Sequence, residues 1–202
     1  MQKIRFADVK SLDEYQKTRE ALRREIIALK RRRRVAVGDR LSFLFENRQT
    51  VLFQIQEMIR AERIVSDDRI QDEIDVYNEL VPGPGELSAT MMIEIEEKAQ
   101  IQPELDRFMG IDSGQYVWLQ IGRDFAIPGQ FEAGHSKEDK IAAVHFVRFS
   151  LPPAARRAFA CEPVGLVVEH PTYRARAALT TETRAALLED LGELADPAGG
   201  DC

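Results

Sequence analysis

The chain has 202 residues, 44% of them apolar, and a formal net charge of −6 at pH 7, enough for one substantial core and too apolar for disorder. No stretch approaches the run of about eighteen apolar residues that a membrane helix needs, and Met1 to Phe6 lacks the apolar segment of a secretion signal, so a cytoplasmic protein is expected. Residues 1–34 hold 12 Lys/Arg and 5 Asp/Glu, whereas the remainder holds 16 and 29. A basic end on an acidic body fits nucleic acid, an acidic partner or self-association. The last needs the fewest assumptions, so a homo-oligomer is expected.

In chain order, the first predicted element is a helix from Leu12 to Arg33. Leu12, Tyr15, Leu22, Ile26 and Leu29 share one stripe at a 3.6 period, Ser11 is placed to cap, and Lys30 to Arg34 closes the helix where its dipole favours cations. Val35–Val37 and Leu41–Phe45 read as a hairpin around Gly38-Asp39. Asn47 caps a second helix, about Gln49 to Val65, and Ser66 or Asp67 starts a third that Val81-Pro-Gly-Pro-Gly85 stops.

Beyond Gly85 the period changes from 3.6 to 2. Leu87 to Glu96 alternates, with Leu87, Ala89, Met91, Ile93 and Ile95 on one face. A short helix spans Pro103 to Met109, and strands follow at Tyr116–Ile121, Phe125–Phe131 and Ile141–Phe149. Pro152–Ala160 reads as helix, Val164–His170 as strand, and Thr180–Leu194 as an amphipathic helix. The order predicts a single α+β domain over 1–194, its helices (1–81) packed on a mainly antiparallel sheet (86–194), with a disordered tail at 195–202.

Two charged residues intrude on apolar stripes: Arg19 in the first helix and Glu62 in the second. Burying either alone is costly, so the two are expected to meet as a structural ion pair. If a pocket exists instead, its lining would be Glu57, Arg60, Glu62 and Arg63 against Glu94 of the following strand. No catalytic residues are identified. Nucleotide-binding glycine motifs and the Gly-x-Ser-x-Gly elbow are absent, and Cys161 in Ala-Phe-Ala-Cys-Glu reads as a buried structural cysteine with no disulfide pattern to Cys202. His135, His145 and His170 lack ligand spacing, so neither a metal nor another cofactor is expected. The Lys30–Arg34 run, without interleaved aromatics, argues against nucleic acid.

Three stretches together resemble a bacterial family, the domain of unknown function numbered 3501. They are Ile27 to Val35, Phe45 to Ile64 with its Glu-Asn-Arg-Gln-Thr start, and Tyr77-Asn-Glu-Leu-Val-Pro82 followed by Glu86 to Glu94; His170-Pro-Thr-Tyr173 resembles a further family feature. The resemblance supplies no catalytic residues. It implies a non-enzymatic accessory or binding protein of a bacterial redox or stress-response module, with a protein partner in a rubrerythrin-like or iron–sulfur oxidoreductase system. An enzyme or small-ligand binder using the Glu/Arg pocket, and a nucleic-acid binder, are the alternatives.

Overall fold

The computed structural model describes residues 1–112, 115–132 and 141–192. Helix α1 (Leu12–Arg33) begins at a reciprocal cap: the Glu14 amide donates to Ser11 Oγ (3.4 Å) while the Ser11 amide donates to the Glu14 carboxylate (3.2 Å). Helix α2 (Arg48–Glu62) starts at Asn47, whose Oδ1 accepts from the amides of Gln49 and Thr50. It ends at Arg63 in the left-handed region (φ 53°), where the Ile64 amide reaches back to the Ile59 carbonyl at 2.9 Å. Helix α3 (Asp67–Asn78) follows at once.

The strands are β1 (Arg34–Val37), β2 (Leu41–Glu46), β3 (Glu86–Ile93), β4 (Val117–Ile121), β5 (Phe125–Pro128), β6 (Gln130–Phe131), β7 (Val144–Ser150), β8 (Val164–His170) and β9 (Tyr173–Ala178), with helices α4 (Ile101–Asp106), α5 (Pro153–Cys161) and α6 (Thr181–Leu191) between or after them. The fold is α+β, as its sequence order requires. All pairings are antiparallel, but they form two sheets: β1-β2-β3-β7-β6 and β5-β4-β8-β9.

The segment read as one strand from Phe125 to Phe131 changes sheets at Gly129. The Gly129 amide still bonds the Val117 carbonyl at 2.8 Å, and a Cβ there would lie 2.7 Å from Val147, so only glycine permits the crossing. Strand β9 is absent from the sequence reading, because the alternation of Tyr173, Ala175 and Ala177 with Arg174 and Arg176 rests largely on small alanines and is easily passed over. It forms by pairing with β8 and by Tyr173, whose hydroxyl donates to the Val37 carbonyl (2.8 Å) and accepts from the Arg40 amide (3.1 Å). This phenol joins the free edge of the second sheet to the β1–β2 turn.

Between the sheets lies the larger core, with Phe43, Phe45, Leu119, Phe149, Phe159 and Leu166 fully buried. Each such side chain contributes about 2–3 kcal/mol of burial. A smaller cluster of Ile4, Val51, Ile55, Ile59, Ile64 and Ile74 packs the helices, reaching the outer face of the first sheet at Phe146. Strand β2 is buried along its whole length, being enclosed on both faces. Helix α1 contrasts with it: of its 22 residues only Tyr15, Ile26 and Arg33 are buried. Leu194 and residues 195–202 lie outside the described residues.

Candidate functional site

Because a short hairpin joins them, α1 and α2 lie antiparallel. Tyr15 meets Phe53 edge to face (centroids 6.5 Å apart), while Ile26 and Leu29 lie beside Gln49 and Leu52. The fit leaves a groove of about 420 Å³. Leu22, Ile26, Leu29, Leu52 and Phe53 form its apolar floor, and Lys10, Arg32 and Arg48 stand on its rim with Asp8 and Glu25. Arg48 is held by Asp8 at 2.6 Å, and Gln56, itself buried, fixes the segment before α1 by bonding both the amide and the carbonyl of Lys10.

At one end of the groove, Glu57 gathers three donors. Arg19 forks onto it (2.7 and 2.9 Å), Tyr15 Oη donates at 2.7 Å, and Arg60 adds longer bonds of 3.2 and 3.3 Å. The Arg19 bonds are the chief reason the Glu57 carboxyl is held down at about 2, with burial opposing them. Tyr15 is pushed up, first by burial and then by the hydrogen bond it donates to the Glu57 carboxylate, whose negative charge disfavours the phenolate. A carboxylate so fully occupied is a poor proton donor or acceptor near neutral pH. The cluster is a clamp.

The expected Arg19–Glu62 pair does not form. Antiparallel packing sets Arg19 opposite Glu57, so Glu62 projects past the start of α1, where it is half-exposed and meets Arg69 at 3.3 Å. The structure therefore brings together Glu57 and Arg60 of the expected lining, adding Arg19 and Tyr15, and disperses the rest. Arg63 is exposed at the helix cap. Glu94 lies at the far end of β3, accepting from Ser42 Oγ (2.5 Å) and Arg34 (3.5 Å).

The basic run also divides. Arg31 and Arg32 are exposed, Arg34 meets Glu94, but Arg33 is buried. Its guanidinium donates to the carbonyls of Phe45, Ala186 and Glu46 and pairs with Asp190, tying α1 and β2 to α6. Arg33 falls seven residues after Ile26, on the apolar stripe, and that spacing could have singled it out. Glu46 gave no such signal. It is buried because α2 folds back over it, and Thr50 Oγ1 (2.5 Å) and Thr90 Oγ1 (2.7 Å) donate to its two oxygens at the start of α2, where the helix dipole favours an anion.

Cys161 is exposed, not buried as expected; Cys202 lies outside the described residues, as does His135. His170 is buried between Phe108 and Tyr116, with Nε2 donating to the Met109 carbonyl (3.1 Å) and Nδ1 facing Thr172. The His170–Tyr173 stretch thus holds architecture. Among the described residues no cluster of three His, Cys, Asp or Glu could hold a metal ion, and no helix is long and apolar enough to cross a membrane.

A crystal structure of a protein of unknown function from Burkholderia pseudomallei K96243 is similar to this chain, with 32% sequence identity and a TM-score of 0.88 over 94% of this chain and 100% of the other. No curated protein matches. The family described as "Protein of unknown function (DUF3501)" matches residues 3–191, and the chain belongs to that family.

Proposed function

We propose that this protein is a cytoplasmic, non-enzymatic accessory protein that binds an acidic, amphipathic segment of a partner protein in the groove between α1 and α2. The observation that carries the reading is the groove itself: an apolar floor under Lys10, Arg32 and Arg48, on a helix that contributes only three buried residues to the fold. From Tyr15 to Arg32 the groove follows about 25 Å of helix, a length that suits an extended or helical segment better than a compact metabolite. Charge favours the same occupant at Lys10 and Arg32, which acidic residues flanking an apolar stripe would meet, whereas Arg48 is already paired with Asp8 and Glu25 stands on the same rim. The Tyr15–Glu57–Arg19 clamp fixes the end of the groove and supplies rigidity.

The family resemblance suggests the setting, a redox or stress-response module with a rubrerythrin-like or iron–sulfur oxidoreductase partner. The test offers purified proteins of those two kinds, together with any partner recovered from the native host, to wild type and to Leu29→Glu. Binding at least tenfold weaker in the variant, with the contact mapped to an acidic amphipathic segment, supports the reading. A partner held equally well by Leu29→Glu overturns it.

A further inference from the structure

We propose that the outward face of α1, turned away from the groove, is an isologous contact with a second copy of this chain, the two α1 helices lying antiparallel about a two-fold axis near the level of Leu22. Asp13, Lys17, Glu20, Arg24, Ile27 and Arg31 recur at alternating intervals of four and three, and all six are exposed. They form one continuous stripe on the side of the helix opposite Tyr15, Ile26 and Arg33. Ile27, at 54% exposure, is a large apolar residue left in solvent on that stripe.

Charge along α1 selects the partner and its orientation. The first half of the helix carries Asp13, Glu14 and Glu20 with Lys17 and Arg19, a net charge of −1, whereas the second carries Arg23, Arg24, Lys30, Arg31, Arg32 and Arg33 with Glu25, a net charge of +5. Parallel association would set basic half against basic half. Antiparallel association sets acid against base twice over, and it also opposes the two helix dipoles. With the axis at Leu22, Asp13 meets Arg31 of the second copy, Glu20 meets Arg24, and the stem of Lys17 covers Ile27; the two-fold repeats each contact. Glu20 is already bonded by Arg19 of its own helix at 3.1 Å, which fixes the carboxylate without covering the stripe. The groove faces another way, so the pairing leaves it open to a partner segment.

A single helix face about 33 Å long covers less area than a permanent dimer requires. The association is therefore weak, on the order of 10–100 μM, and sensitive to salt because its pairs lie at the surface. The test is sedimentation equilibrium of the full chain at about 0.05 M and 0.5 M salt, ionic strengths at which screening differs severalfold. Variants are Asp13→Lys, Arg31→Glu and the two combined. Residues 13 and 31 are about 27 Å apart along one helix, so they cannot compensate for each other within a chain. Each single reversal weakens the dimer about tenfold, and the double swap restores it, because Lys again faces Glu. Circular dichroism checks folding; where either variant fails to fold, Glu20→Arg and Arg24→Glu, alone and together, replace them. A monomer throughout the accessible concentration range overturns the proposal. So does a dimer indifferent to the single reversals, or a double swap that fails to restore association.

Discussion

The space between the two sheets and the surface of α1 are held by different physics. In the first, buried aromatic and branched residues meet from seven strands and three helices, and burial of apolar area dominates. In the second, a helix of 22 residues buries only Tyr15, Ile26 and Arg33, adds the Arg19–Glu57 fork to α2, and leaves charge on most of its circumference. The difference teaches where to look for function. A sheet core that tolerates little change cannot adapt to a partner, whereas a helix with few buried residues can carry a groove on one side and a charged stripe on another.

The comparison is broken most directly by truncation. Phe149→Ala empties a fully buried site packed on Phe45 and should destabilise the protein by about 4 kcal/mol in urea unfolding. Leu29→Ala, on the groove floor, should cost about 1 kcal/mol or less. Equal costs would mean that α1 belongs to the core after all.

Arg33 sharpens the boundary, since it is the one cation of α1 that joins the buried interior. Arg33→Met should cost about 3–4 kcal/mol, because Asp190 and the carbonyls of Phe45 and Ala186 then lack their donor. Adding Asp190→Leu should recover much of the loss, as replacing both partners of a buried pair with apolar residues often does. Burial already raises the Asp190 carboxyl, with Arg33 opposing that rise.

The Arg19–Glu57 clamp, about a quarter exposed on each side, should matter less. Glu57→Gln is expected to cost about 1–2 kcal/mol, between surface and buried pairs. Its pH signature has a definite sign. The folded carboxyl titrates at about 2 against an ordinary 4.5, so its stabilisation is complete above pH 4.5 and disappears as pH falls towards 2. Acid unfolding of Glu57→Gln should lack that part of the slope. Glu62→Gln, half-exposed beside Arg69, should change stability by less than about 0.5 kcal/mol.

These substitutions also mark what the sequence could reveal. Helix starts at Ser11 and Asn47, the stop at Pro82–Gly85 and the alternation from Leu87 to Ile93 are local signals, and the elements follow them. The pairing of Arg19 depends on helix register across a hairpin, which no periodicity within one helix encodes. The change of sheet at Gly129 and the burial of Glu46 depend on chain returning from 18 to 44 residues away. Arg33 was legible, seven residues from Ile26, but the run of like charges around it concealed the stripe.

The central claim is that α1 and α2 form a partner-binding groove independent of the fold's stability. The decisive measurement is the affinity of Leu29→Glu for the protein partner of the groove, made beside its thermal unfolding. The account predicts binding weakened at least tenfold, with the unfolding midpoint within a few degrees of wild type. Undiminished binding, or a loss of binding that accompanies collapse of the fold, would contradict it.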